Sequence, residues 1–344
     1  MDPPSRLLVR ELADLARTAP DIRGFGAAVC AAVARAVPHD ASCFTTADPD
    51  TGLLGEVVRS PCLDGGDEAL AHYEYGMDDV NPFRVLARRR LPVGLLHRDT
   101  RGRPEECARF REYLGPGLGF TDEARVVFRA AGLTWGTLAL YRSSGVFDGE
   151  DGQVLGAANP VVPTGISRLL RAGVSPPARM TESAVLVVGS DGRPARTSAG
   201  AGELLRRFGG SSGGTLPLPV LSAVAQARRS DSGEAVRARL RLADGSWVRL
   251  HAVALDLGDG DSTEVVVTLD PSGPEESTTL RLSTLGLTAR ETQVAELVVA
   301  GLSTEAIARR LDLSRYTVQD HLKSVFAKAG VRSRRELVAA IRSA

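Results

Sequence analysis

Apolar positions recur three and four apart from Leu285 to Ala344, and that spacing predicts short one-sided helices. Thr288-x-x-Glu291 has the form of a capping box, in which hydroxyl and carboxylate each satisfy an orphan amide, so a helix is expected to start there. Its stripe is Val294, Leu297 and Val298, and Gly301 supplies a left-handed stop. Ser303 is placed to cap a second helix with Ile307 and Leu311 on its apolar side, Glu305 in its positive first turn and an end near Asp312. Ser314 caps a third, whose stripe is Val318, Leu322, Val325, Phe326 and Ala329, with Gly330 as its stop. A second capping box, Ser333-x-x-Glu336, opens a last helix with Leu337, Ala340 and Ile341 on one side. The pattern predicts an all-α four-helix unit over 283–344.

Upstream the period shortens to two, the alternation of half-buried strands. In the middle of the chain, a strand over 184–188 runs into the turn Ser190-Asp-Gly-Arg, and a helix is expected over 202–208. Strands over 235–242 and 247–255 alternate about Asp244-Gly245, and a further strand covers 263–269, giving about five strands flanked by helices. Nearer the start, helical spacing covers 7–19 and 25–37, and strands over 41–46 and 53–59 are joined by Pro49-Asp50-Thr51-Gly52. A helix over 105–114 precedes strands over 123–129 and 135–141, turned at Ala131-Gly132-Leu133. The closing helix, 148–170, is expected to kink or divide at Pro160 and Pro163. Linker composition at 173–177 and 271–279 divides the chain into domains at 1–172 and 178–270, a linker at 271–282 and a helical domain at 283–344. The expected fold class is multidomain α+β: two antiparallel-sheet domains followed by the all-α domain. No internal repeat is visible in the sequence.

Charge refines this picture. The chain is neutral, with 42 basic and 42 acidic residues, yet from Ser283 onward ten basic residues face six acidic ones, so the tail is positive and the remainder negative. Lys323 and Lys328 are the two lysines; the Arg bias elsewhere reads as composition and carries no nucleic-acid signal. The four cysteines, Cys30, Cys43, Cys62 and Cys107, match no zinc or redox spacing and read as reduced thiols. No apolar run approaches the roughly twenty residues that cross a bilayer, and Met1-Asp2-Pro3 opens no secretory signal, so a cytoplasmic protein with no membrane partner is expected.

Leu311-Asp312-Leu313-Ser314 leaves a tight turn between the second and third helices, as in a helix-turn-helix unit. The third helix then presents Arg315, Tyr316, Gln319, Asp320 and Lys323 opposite its apolar stripe, side chains able to reach phosphates or base edges in the major groove. A protein-docking module with a merely solvated polar face is the competing reading. Leu287-Thr-Ala-Arg-Glu, Gly301-Leu-Ser, Ile307-Ala-x-x-Leu, Leu313-Ser-x-x-Thr-Val and His321 with Lys328 together resemble the LuxR/GerE-type helix-turn-helix. The resemblance covers about a fifth of the chain. It implies a homodimeric transcription factor that binds double-stranded DNA, pairs through its last helix and has RNA polymerase as a further partner. It places Gln319, Asp320 and Lys323 where the family reads base edges, Thr317 and Arg315 where it grips phosphate, and adds Tyr316 and Lys328 to the DNA-binding set. Gln319 stands where the family often has Lys, and Thr304-Glu305 replaces its usual Asn-Lys. Both departures remove positive charge and imply fewer phosphate contacts or a different recognised sequence.

The order of strands and helices in the middle unit resembles a PAS domain, with Ala243-Asp-Gly-Ser-Trp-Val before its fourth strand. The N-terminal unit resembles a GAF domain in architecture, with Gly136-Thr-Leu-Ala-Leu-Tyr before the last helix. Both resemblances imply sensory domains of small-ligand size, and neither carries a ligand-contact motif; no cofactor or metal is assigned. His251 reads as a solvent-facing strand residue more readily than as a haem ligand. Gly115-Pro-Gly-Leu-Gly119 lacks the Lys-Ser/Thr of a phosphate-binding loop and reads as a loop, and Asp78-Asp79 lies too far into the domain for a receiver's metal site. No nucleophile elbow or HExxH appears, so no catalytic residue is assigned. The expected function is a DNA-binding regulator with a sensory N-terminal half; the alternatives are a ligand-modifying GAF-like enzyme or a protein-interaction scaffold targeted to DNA by the tail.

Overall fold

The computed structural model describes residues 3–49, 51–172, 183–208, 215–230, 234–242, 246–256, 263–271, 282 and 285–342. The expected linker at 173–177, most of that at 271–279 and the Asp244-Gly245 turn lie outside the described residues.

In the N-terminal part, β1 (Ala41–Ala47) and β2 (Leu54–Arg59) form the hairpin expected over 41–59, beside β3 (Val93–Leu95), β4 (Asp122–Ala130) and β5 (Leu133–Arg142). The sheet is antiparallel in the order β2-β1-β5-β4-β3. Ala131 and Gly132 take φ of 53° and 82°, the mirror-image geometry of a two-residue hairpin, so Leu133 belongs to the strand and not to the turn. Helices α1 (Pro3–Thr18), α2 (Ile22–Ala36), α3 (Gly149–Ala157) and α4 (Val162–Ala172) cover one face, where Phe25, Phe44, Phe128, Leu138 and Ile166 are fully buried. The closing helix divides at the prolines, as their missing amides require. Helix α4 approaches α2 so closely that a Cβ on Gly165 would enter the Phe25 ring. Gly165→Ala is therefore expected to lower the unfolding free energy by about 1–3 kcal/mol, the usual cost of overpacking. Urea unfolding checks this, and an unchanged midpoint would refute the close approach.

The opposite face is filled by the chain's own excursions between β2 and β4. Phe83, Leu86 and Leu114 pack on Cys43, Val127 and Ala139. A buried charge cluster sits among them: Arg109 donates to Glu123 at 2.6 Å and to Asp79 at 3.0 Å, while Arg125 donates to Glu74 at 2.7 Å and lies 3.7 Å over the Phe83 ring. Space beside Cys43, Tyr73, Tyr113 and Tyr141 amounts to about 30 Å³, the share of one water molecule. Asp79, whose neighbour Asp78 pairs with Arg84 and Arg229, also accepts the amides of Ala108 and Arg109 at 2.9 and 3.0 Å. That capping divides the helix expected over 105–114 into a 3-10 turn, Pro104–Glu106, and a wide π turn, Phe110–Leu114. Gly115–Leu118 continues as a helical turn that Gly119 ends at φ 74°, so this glycine-rich stretch is not the loop expected. The four cysteines are free, and burial pushes the Cys43 and Cys107 thiols up to about 12.

The middle part comprises β6 (Ala184–Val188), β7 (Pro194–Thr197), α5 (Ala201–Arg207), α6 (Leu218–Arg229), β8 (Val236–Arg241), β9 (Trp247–Asp256) and β10 (Thr263–Pro271). Its sheet order, β7-β6-β10-β9-β8, repeats that of the first sheet. His251 lies half-buried on β9, opposite Arg237 and Thr268. Helix α6 has no counterpart among the sequence expectations. Every residue from Leu218 to Val224 is buried, between the second sheet and the His72–Gly76 turn of the first unit, which erases the one-sided stripe over its first two turns, while Gln226 and Arg229 reach solvent nearer its end. One continuous apolar cluster joins the two sheets through it. Arg229 pairs with Asp78 at 3.1 Å and Arg239 with Asp48 at 3.6 Å across the same boundary.

The tail builds its own core from α7 (Ala289–Val299), α8 (Thr304–Leu311), α9 (Arg315–Ala329) and α10 (Arg334–Arg342).

Candidate nucleic-acid interface

Local chemistry places each tail helix. Thr288 Oγ1 accepts the Glu291 amide at 3.3 Å and Glu291 accepts the Thr288 amide at 2.7 Å, closing the capping box on α7. Gly301, at φ 88°, stops that helix, and Ser303 caps α8 through the Ala306 amide at 3.2 Å. Asp312 takes the left-handed conformation at φ 52°, which an aspartate tolerates, and ends α8. Ser314 then accepts the Thr317 amide at 3.0 Å to open α9, so three residues separate the two helices. At the start of α10 the expected reciprocal box is altered: Ser333 accepts the Glu336 amide at 3.1 Å, but the Glu336 carboxylate takes the Ser333 hydroxyl at 3.0 Å and the Arg332 amide at 2.8 Å. Ala340 is exposed and not on the buried side as expected; Val338 joins Leu337 and Ile341 against the core instead.

Helix α9 is held by Val318, Leu322 and Val325, which pack with Val294, Val298 and Ile307. That anchoring turns Arg315, Tyr316, Gln319, Asp320 and Lys323 outward on one exposed face. Tyr316 is 83% exposed, the most exposed large apolar side chain among the described residues. Thr317 sits half-buried at the edge, its hydroxyl 2.9 Å from that of Ser314. Arg315 pairs with Glu305 of α8, and Lys323 lies 3.4 Å from Asp320. Both pairs are solvent-exposed, so they contribute little stability and can exchange partners at small cost.

Lys328 stands apart from this face. Its ammonium donates to Glu291 at 2.6 Å, and Ser324 donates to the same carboxylate at 2.6 Å. Burial alone would push the Glu291 carboxyl up, but these bonds and those from Thr288 outweigh it and hold it down at about 2. Glu291 thus caps α7 and ties α9 to it. Arg290 adds a second tie by donating to the Leu311 carbonyl at 2.6 Å, and Arg334 donates to the Leu302 carbonyl. Sequence spacing marks none of these three interhelical contacts, since each joins residues 21 or more apart.

Helix α9 has 15 residues, a length of about 22 Å, and the B-DNA major groove, about 12 Å wide, admits such a helix. The exposed face offers donors, acceptors and one aromatic ring without a buried charge to strip of water.

The family model described as "Bacterial regulatory proteins, luxR family" matches residues 285–341, and this segment is a LuxR/GerE-type helix-turn-helix domain. The monoamine regulon transcriptional regulator of Klebsiella aerogenes is 48% identical over 52 residues, which are 15% of this chain and 23% of that protein. The chain thus spans about a quarter of the length of the first two curated relatives it matches, 23% and 26%. Among solved structures, the Vibrio cholerae VqmA dimer, described with LuxR-type receptors, overlays 47% of this chain and 82% of its own at 18% identity and a TM-score of 0.23. A chain of the E. coli DhaR(N)–DhaL complex overlays 78% and 88% at 12% identity and a TM-score of 0.27. Overlays this loose establish no shared ligand, partner or assembly. No helix among the described residues is long and apolar enough to cross a membrane.

Proposed function

We propose that this protein is a DNA-binding transcriptional regulator in which the two N-terminal sheet units, GAF-like and PAS-like in organisation, control the helix-turn-helix domain. The observation that carries the reading is the exposed face of α9 on a domain of the luxR family. Gln319, Asp320 and Lys323 read base edges, Arg315 and Thr317 position the helix on phosphates, and Tyr316 packs against the sugar-phosphate wall. Two copies pair through α10 and place their reader helices in half-sites about one helical turn apart, a requirement of two-fold binding. Such a protein works in the cytoplasm beside its promoter and acts on RNA polymerase there. A mobility-shift series with the full chain and genomic fragments tests this; binding that is neither sequence-selective nor weakened by salt would overturn it.

The reader residues make separable predictions. Lys323→Ala is expected to weaken specific binding by about 1–3 kcal/mol and to relax preference at one base pair. Asp320→Ala is expected to change the preferred base more than the affinity, because a carboxylate accepts from cytosine and repels phosphate. Binding of a randomised site library to each variant decides this, and two variants as tight and selective as the parent would refute the assignment of α9.

A further inference from the structure

A cavity of about 340 Å³ lies where the two sheets meet, the lower end of the volume range of small-molecule sites. Strand β2 is the last strand of the first sheet on this side, and β8 is the last strand of the second. Each edge therefore turns backbone N–H and C=O groups away from its own sheet. The Arg239 amide shows the direction on β8, since it crosses the gap to Asp48 at 3.0 Å. Side chains of both units line the space between the two edges.

The lining is rich in charge and has none in sum: four arginines, Arg23, Arg59, Arg239 and Arg241, against four carboxylates, Asp48, Glu56, Asp64 and Asp67. They alternate as neighbours, with Arg59 on Asp67, Arg239 on Asp48 at 3.6 Å and Arg23 3.8 Å from Glu56. A singly charged ligand would meet repulsion from one member of every pair. A molecule carrying both charges can lie along the pairs, add to each and still use the edge amides and carbonyls. Apolar groups complete the walls: Trp247, Leu218, Phe208 and Leu170 give an uncharged stem a place to pack.

We infer that the cavity between the β2 and β8 edges binds a small zwitterion of amino-acid or dipeptide size. Because its walls come from both sheets, the bound molecule bridges the two units and fixes their spacing. This deepens the sensory half of the function proposed above, and its test contains no DNA, so failure here leaves the reading of α9 untouched.

The experiment uses the full chain carrying Trp135→Phe, which leaves Trp247 as the single tryptophan. Free L-amino acids and glycyl dipeptides are added separately at millimolar concentration, with acetate and methylamine as singly charged controls. At least one zwitterion is expected to raise Tm by several degrees and to change Trp247 emission, with neither control doing so. Val57→Phe, which fills the cavity from β2, and Arg241→Ala, which removes a wall charge, are each expected to weaken that response about tenfold. Zwitterion responses no larger than the controls' would overturn the proposal, as would responses unchanged in both variants.

Discussion

Glu291→Ala is expected to destabilise the helix-turn-helix domain by about 2–4 kcal/mol and to abolish DNA binding at physiological temperature. The magnitude follows from what one carboxylate holds. It accepts the Thr288 amide, the Ser324 hydroxyl and the Lys328 ammonium, and hydrogen bonds to a charged group contribute about 1.5–3 kcal/mol each, not additively. The same contacts set a pH dependence. The Glu291 carboxyl is held at about 2, below its ordinary 4.5, so its contribution is complete above the unfolded value and is lost as pH falls through the folded one. Acid should therefore loosen this domain between about pH 5 and pH 2 in the parent and leave the Glu291→Ala variant comparatively unresponsive. Hydrogen exchange read by mass spectrometry over 285–342 follows the domain within the full chain. Equal protection in parent and variant at neutral pH would contradict the cap-and-tie role. Lys328→Ala supplies the companion measurement: a lysine committed to Glu291 should cost stability without lowering the salt dependence of DNA binding, whereas a phosphate contact would lower that slope by about one.

The second large effect lies in the N-terminal unit, where Arg109→Met is expected to cost about 3–5 kcal/mol. The side chains of Arg109, Asp79 and Glu123 are each no more than 4% exposed, and removing the cation leaves two buried carboxylates without their partner. A loss of this size is a large share of a typical domain's total stability of about 5–15 kcal/mol. Adding Asp79→Asn and Glu123→Gln should restore part of it, since an uncharged amide is less costly to bury than an unpaired carboxylate. The pH response should also weaken. In the parent, burial pushes the Asp79 carboxyl up but Arg109 and the backbone amides outweigh it and hold it low, so acid removes stability. In Arg109→Met the backbone amides still hold the Asp79 carboxyl down but the guanidinium no longer does, so the folded carboxyl rises toward its unfolded value and acid removes less stability. Urea unfolding followed by Trp135, buried on β5, measures both, and a variant that unfolds with the parent's midpoint and pH slope would refute the account.

The cavity and the charge cluster divide the N-terminal half into two kinds of site. The cluster beneath the first sheet is satisfied by its own pairs and leaves room for about one water, so the face that a GAF-like reading would offer a ligand is filled by protein. The larger space lies between the units, where two sheet edges fail to pair along their length. A ligand there would act on the packing of α6, the helix common to both cores, without touching the tail directly.

What the sequence determined by itself was local. Thr288, Ser303 and Ser314 cap their helices, Gly301 and Gly330 end them, the prolines divide α3 from α4, the turn residues 49–52 join the strands read over 41–46 and 53–59, and the alternation over 235–242 and 247–255 marks β8 and β9. Each of these signals rests on groups a few residues apart, whose hydrogen bonds and dihedral limits act before any tertiary contact forms. The outward face of α9 belongs with them, because burying Val318, Leu322 and Val325 leaves one orientation for Gln319, Asp320 and Lys323. Only the tertiary structure decided that Lys328 serves Glu291 and not that face, that Asp79 and Arg109 meet in a buried cluster, and that α6 is a helix whose first two turns are buried all round. The same holds for the shared strand order of the two sheets and the cavity between their edges. These features join residues brought together from 30 or more positions apart, as Asp79 and Arg109 are, and no periodicity within one element records a partner supplied by another.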